Sequence, residues 1–150
     1  SPQAYEGYQV LHKLFTETDF DAEELTVVWQ AINVENECHY CVPAHTGIAK
    51  MMKVSEEISE ALRNETPLPT PKLEALRCFT VQMVRDRGNV TDAQMQAFFG
   101  AGYGHRAVLD VILGMAQKTM SNYVNHVAQT PVDEVFKPLA WDRSDTPLKV

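Results

Sequence analysis

The chain has 150 residues, 45% of them hydrophobic and 22% charged, which suits one hydrophobic core and excludes a chain too polar to fold. A formal net charge of −7, with no Lys/Arg cluster, argues against a surface that tracks nucleic-acid phosphates. No apolar run reaches the roughly 18 to 20 residues of a membrane-spanning helix, and no basic stretch with an apolar core opens the chain, so a soluble, cytoplasmic protein is expected. Three cysteines, two of them three residues apart, suit a reducing compartment rather than a secreted disulfide framework. The chain begins at Ser1-Pro2 without Met, and further residues are expected upstream of what reads as one domain spanning 1–150.

Apolar residues recur at three-to-four spacing almost throughout, which predicts an all-α fold of about six to seven helices. Ala4, Tyr8, Leu11 and Phe15 form one stripe of a first helix that Pro2 can open. A second helix runs from about Asp21 to Val34, and Asp21 with Glu24 has the form of a capping box. A third begins near Cys41 and carries Ile48, Met51 and Met52 as core positions, and Ser55 caps a short fourth through Leu62. Asn64 to Thr70, with Pro67 and Pro69, is a loop. Thr70 and Pro71 open a fifth helix to about Asp86, in which Cys78 reads as a buried, inert thiol. After Gly88, Thr91 and Gln94 form a second capping box, and Gly100, Gly102 and Gly104 interrupt the chain again. The longest helix, His105 to about Ala128, is apolar on most sides and is expected at the centre of the domain or of a subunit interface. A short turn follows at Thr130–Asp133, and a polar tail is expected from Trp141.

The chemistry concentrates between Glu35 and His45. At roughly 100° per residue, Cys38 to Cys41 turns roughly 300° and Cys41 to His45 roughly 400°, so the three side chains share one side of a helical start. Free amide groups and the positive dipole end there stabilise a thiolate, and thiols in Cys-x-x-Cys pairs fall from about 8.5 to roughly 3.5–7.5. A sulfenic acid on either sulfur can be captured by the other as a disulfide before irreversible oxidation. His45, one turn beyond Cys41, is placed to accept the thiol proton or to stabilise the thiolate as imidazolium. Two other readings of the motif are a zinc-stabilised interaction module, with His39 or a distant side chain as fourth ligand, and cysteines that simply pack in the core. Covalent haem attachment is excluded because Val42 follows the second cysteine.

The run Glu35-Asn36-Glu37-Cys38-His39-Tyr40-Cys41-Val42-Pro43-Ala44-His45, at the junction of the second and third helices, resembles the AhpD-like alkylhydroperoxidase branch of the carboxymuconolactone decarboxylase superfamily. Asn122-Tyr123-Val124-Asn125-His126 and the stretch from Thr130 to Trp141 resemble its peroxidase-related members. The resemblance implies that Cys41 attacks a peroxide, that Cys38 resolves the sulfenic acid, and that His45 activates the thiol. It also implies no cofactor, an organic hydroperoxide as substrate, a lipoyl-type adaptor or small dithiol protein as reductant, and assembly into dimers, trimers or hexamers. Family members carry a glutamate twelve residues before the first cysteine, where this chain has Thr26, so Glu24 or Glu35 is the candidate carboxylate of the proton relay. The decarboxylase side of the superfamily, whose lactone chemistry does not depend on a cysteine pair, is the alternative activity; the pair argues against it.

Overall fold

A computed structural model describes residues 1–143, which form seven α-helices, one short 3-10 turn and no strand. The helices are α1 (Pro2–Thr16), α2 (Ala22–Glu35), α3 (Cys41–Met51), α4 (Glu56–Arg63), α5 (Pro71–Arg85), α6 (Asp92–Gly100) and α7 (His105–Ala128). Their starts follow the capping residues in the sequence. Asp21 accepts from the Glu23 and Glu24 amides while the Glu24 carboxylate accepts from the Asp21 amide, and Thr91 with Gln94 repeats the reciprocal arrangement on α6. Ser55 and Thr70 each cap with a hydroxyl, a device worth about 1 kcal/mol apiece.

The centre of the fold is α2, not the longest helix. Every residue from Glu24 to Val34 is buried, because α2 is enclosed by α3, α4, α5 and α7. Phe15, Val28, Ile32, Leu76, Phe79, Phe98 and Val111 fill the core around it. Helix α7 lies across α1 and α2 and keeps an apolar outer side open, with Leu109, Tyr123, Val124 and Val127 exposed. Its close seating depends on Gly114, where a Cβ would come within 2.8 Å of Phe15 and 2.9 Å of Val28. Three further expectations are corrected. Met51 is 72% exposed, at the end of α3 rather than in the core, and Cys78 is half-buried with its thiol donating to Glu74 at 3.4 Å. The expected tail is tied down at its start, where Trp141 Nε1 donates to the Arg63 carbonyl and Arg143 reaches Glu37 and Glu65; the rest of it, 144–150, lies outside the described residues.

Candidate active site

Helix α2 ends in a reversal that delivers the first cysteine. Asn36 closes the helix, Glu37 takes a left-handed φ of 52°, and the Glu37 and Cys38 amides return to the Val34 and Asn33 carbonyls. This is a Schellman stop built on a non-glycine residue. Three residues later Cys41 starts α3, and its amide donates to Cys38 Sγ at 3.3 Å. Both cysteines are thiols and both are buried. The two residues between them clamp the C-terminal segment, since His39 Nε2 lies 3.1 Å from the Thr130 carbonyl and Tyr40 donates to Asp133 at 2.8 Å.

The two sulfurs are not equivalent. Cys41 is pulled down to about 5, first by a hydrogen bond from Cys38, then by the positive charge of Lys118 and by the Asn125 and Asn122 amides, against the opposing effect of burial. Asn125 Nδ2 donates to Cys41 Sγ at 3.2 Å. Cys38 is pushed up by that same shared hydrogen bond, by burial and by the charge on Cys41, so it stays protonated. A thiolate at the amino end of a helix, holding a protonated thiol as its donor, is the asymmetry a nucleophile and its resolving partner require.

A buried amide chain fixes this geometry. Asn36 donates to Asn122 at 2.9 Å, Asn122 to Asn33 at 2.9 Å, and Asn33 to Gln30 at 3.0 Å. Gln30 in turn donates to the Val42 carbonyl at 3.0 Å and to Thr46 Oγ1 at 3.1 Å, so α2 and α7 together set the first turn of α3. Fully paired buried polar networks of this kind specify one arrangement of a core.

His45 enters the site differently from the sequence expectation. Its Nε2 lies 2.9 Å from Lys118 Nζ, its ring packs against Trp29 at 5.0 Å, and its Nδ1 is buried with no hydrogen-bond partner among the described residues. Among those residues it hydrogen-bonds neither cysteine. Burial, followed by the charges of Lys118 and His12, holds its pKa well below the usual imidazole range, which disfavours an imidazolium beside the thiols. Lys118 is 1% exposed, and burial lowers its own pKa while the two cysteines oppose that shift.

The two candidate carboxylates are placed elsewhere. Glu24, at the amino end of α2, accepts from the Asp21 amide and the Tyr103 hydroxyl and pairs with Lys72 at 2.8 Å. Glu35 takes a two-pronged contact from Arg85, at 2.8 and 2.9 Å, with Arg143 at 3.7 Å. Neither reaches a cysteine or His45, and Thr26 spends its hydroxyl on the Ala22 carbonyl. The zinc arrangement lacks its ligand set: among the described residues no three His, Cys, Asp or Glu side chains converge to hold a metal ion, His39 facing Thr130 and His45 facing Lys118. The sequence reading missed Gln30, Asn33 and Lys118, and gave Asn122 and Asn125, which lie in the run that carries the resemblance, no role at the cysteines. A signal for the last three exists in α7, where Val111, Gly114, Lys118, Asn122 and Asn125 recur at three-to-four spacing and continue a core stripe in polar residues.

The sequence matches no protein-family model and no curated protein. Solved structures are similar. An alkylhydroperoxidase AhpD core, an uncharacterized peroxidase-related protein from Ralstonia eutropha JMP134, superposes with a TM-score of 0.81 at 18% identity over 90% of this chain and 73% of that one. The chain has the AhpD-like fold. An uncharacterized peroxidase-related protein from Silicibacter sp. TM1040 gives a TM-score of 0.76 at 16% identity, over 87% of this chain and 71% of that one. A protein of unknown function from Agrobacterium tumefaciens, suggested to be the antioxidant defence protein AhpD, gives 0.75 at 13% identity, over 89% and 92%. In this chain the AhpD-like fold sets Cys-x-x-Cys at the start of α3, beside the polar stripe of α7.

Proposed function

We propose that the protein is an antioxidant dithiol peroxidase of the AhpD type, in which Cys41 reduces an organic hydroperoxide and Cys38 resolves the product to a disulfide. The observation that carries this reading is the asymmetric pair, a depressed Cys41 thiol held beside a protonated Cys38. The Cys41 thiolate attacks the distal oxygen of the hydroperoxide: an S–O bond forms, the O–O bond breaks, sulfur gives up two electrons, and the alkoxide leaves as alcohol after taking one proton from solvent. The Cys38 thiol then displaces the hydroxyl of the sulfenic acid, forming the disulfide and releasing water. An external dithiol, lipoyl-type or a small dithiol protein, reopens the bridge and is itself oxidised. The cycle needs no haem, flavin or metal.

An apolar substrate fits the surroundings. A groove of about 610 Å³ between α1 and α7 is lined by Tyr5, Tyr8, Met120, Val124 and Asn125, and Asn125 is the residue whose amide touches Cys41 Sγ. The reading includes a cytoplasmic location and self-assembly through the exposed apolar residues of α1 and α7, among them Val10, Leu109 and Val127. In a peroxide assay with a small dithiol, Cys41→Ser is expected to abolish turnover. Cys38→Ser is expected to consume one equivalent and stop at sulfenic acid, trapped by a dimedone-type reagent. Full turnover in both variants excludes the cycle.

A further inference from the structure

Among the described residues no carboxylate hydrogen-bonds Cys38, Cys41, His45 or Lys118, and Lys118 is buried beside them. Lys118 projects from the middle of α7 into the interface with α2 and α3, and the groups facing it are His45 and Cys41 of α3, Cys38 before α3, and His12 of α1. Burial, then the charge of Lys118, lowers the His12 pKa, and its Nδ1 lies 3.0 Å from Gln117 Nε2. His45 can offer the ammonium a lone pair but no negative charge. The Cys41 thiolate is therefore the anion available to a lysine that is 1% exposed. Burying an ammonium without a compensating anion is costly, so the pair is mutually stabilising only while the sulfur is reduced.

We propose that Lys118 is the charge partner of Cys41: its ammonium, seated on His45 Nε2 at 2.9 Å, stabilises the reduced site as a thiolate–ammonium pair and so makes the Cys38–Cys41 disulfide easy to reduce. This rests on the dithiol cycle proposed above and assigns the setting of its redox poise to a positioning residue. When the disulfide forms, the thiolate charge disappears and Lys118 is left buried without an anion. The oxidised state then carries the cost, and a disulfide whose reduced form is selectively stabilised is a strong oxidant. Reduction by a mild dithiol becomes favourable without any contact between Lys118 and the reductant. The direction of each shift agrees with the pairing, since Lys118 pulls Cys41 down and the cysteines hold Lys118 up.

The test uses a Cys78→Ser background, so that only the pair titrates, and compares Lys118→Met, Lys118→Arg and the unsubstituted lysine. Thiolate absorbance near 240 nm is followed against pH, and the dithiol–disulfide equilibrium is measured in glutathione buffers. Lys118→Met is expected to raise the Cys41 titration by at least about one pH unit and to shift the equilibrium at least about tenfold toward disulfide. Lys118→Arg, which keeps the charge, is expected to restore most of both. Lys118→Met behaving like the parent on both readouts overturns the proposal. Should Lys118→Met fail to fold, the reciprocal effect is read in the native interior: the ¹³Cε signal of Lys118 should titrate at lower pH in Cys41→Ser than in the parent, and coincident titrations overturn it equally. A parent Cys41 that titrates as an ordinary thiol and gives no peroxide-driven disulfide overturns the dithiol cycle and this inference together. A reactive, low-titrating Cys41 indifferent to Lys118 overturns the inference alone.

Discussion

The asymmetry of the cysteines has a quantitative signature in alkylation kinetics. With Cys41 at about 5, the thiolate fraction at neutral pH is near unity, against about 3% for an ordinary thiol at about 8.5, a gain of roughly 30-fold. Intrinsic nucleophilicity falls with basicity at a Brønsted slope of about 0.4–0.5, which over about 3.5 units removes roughly 25- to 55-fold. The two effects nearly cancel at pH 7. At pH 5.5 the fraction advantage grows to roughly 800-fold, leaving Cys41 about 15- to 30-fold faster than an equally accessible ordinary thiol. Burial of Cys41 scales the absolute rate but leaves the shape of the profile unchanged, so shape is the observable. Iodoacetamide labelling from pH 4 to 10, resolved by peptide mapping, should show Cys41 reaching half its plateau near pH 5 and flat above about pH 6. Cys78, pushed up by burial and by Glu74, is the internal reference and should still be rising at pH 9. Because the Cys38 hydrogen bond is the largest cause of the Cys41 shift, Cys38→Ala should move the midpoint up further than Cys38→Ser, whose hydroxyl can still donate. A Cys41 profile that climbs in parallel with Cys78 refutes the reasoning.

Val124→Trp should slow oxidation by a bulky aryl hydroperoxide at least about tenfold, equivalent to roughly 1.4 kcal/mol, while leaving hydrogen peroxide unaffected; equal effects on both remove the groove from the substrate path. Gly114→Ala should lose about 1–2 kcal/mol, the overpacking against Phe15 and Val28 exceeding the roughly 1 kcal/mol of helix propensity gained, whereas Gly100→Ala, with open space around it, should be neutral or mildly stabilising in thermal melts. Folding stability in urea should rise with pH between about 5 and 8.5, because the native state holds Cys41 ionised where the unfolded chain holds it protonated. A depressed acid contributes fully above its unfolded value and loses that contribution as pH falls through its native one. His45 and Lys118, both depressed, act with the same sign, and Cys41→Ser should flatten the slope. An unchanged slope in that variant removes the thiolate as its source.

Local signals in this chain are strong, and the helix starts show it: Asp21 with Glu24, Ser55, Thr70 with Pro71, and Thr91 with Gln94 each act within four residues of themselves. The cysteine pair was legible for the same reason, because its spacing and the helix start that receives it are contiguous in sequence. What surrounds the pair was not. Asn36 meets Asn122 across 86 residues and Trp29 meets Gln117 across 88, and no short window records such a meeting. Glu24 and Glu35 have the right chemistry at a plausible sequence distance, but a sequence does not display the arginine, lysine and tyrosine partners that α5, α7's leading loop and the C-terminal segment bring to them. Helix α7 misled in another way. Its apolar residues suggest burial on most sides, yet within one chain they are divided between the core and an open outer side, and three of its five buried positions hold Gln117, Lys118 and Asn122. A lysine and two amides on a core stripe mark the place where α7 serves the site rather than the hydrophobic interior.

The most direct test of the dithiol cycle is the intact mass of the prereduced protein before and after one equivalent of an organic hydroperoxide, with the product mapped by peptide. A loss of about 2 Da confined to the peptide linking Cys38 and Cys41, reversed by a dithiol, is the expected result. Unchanged mass, or a gain of about 16 Da that persists on Cys41 with Cys38 intact, contradicts it.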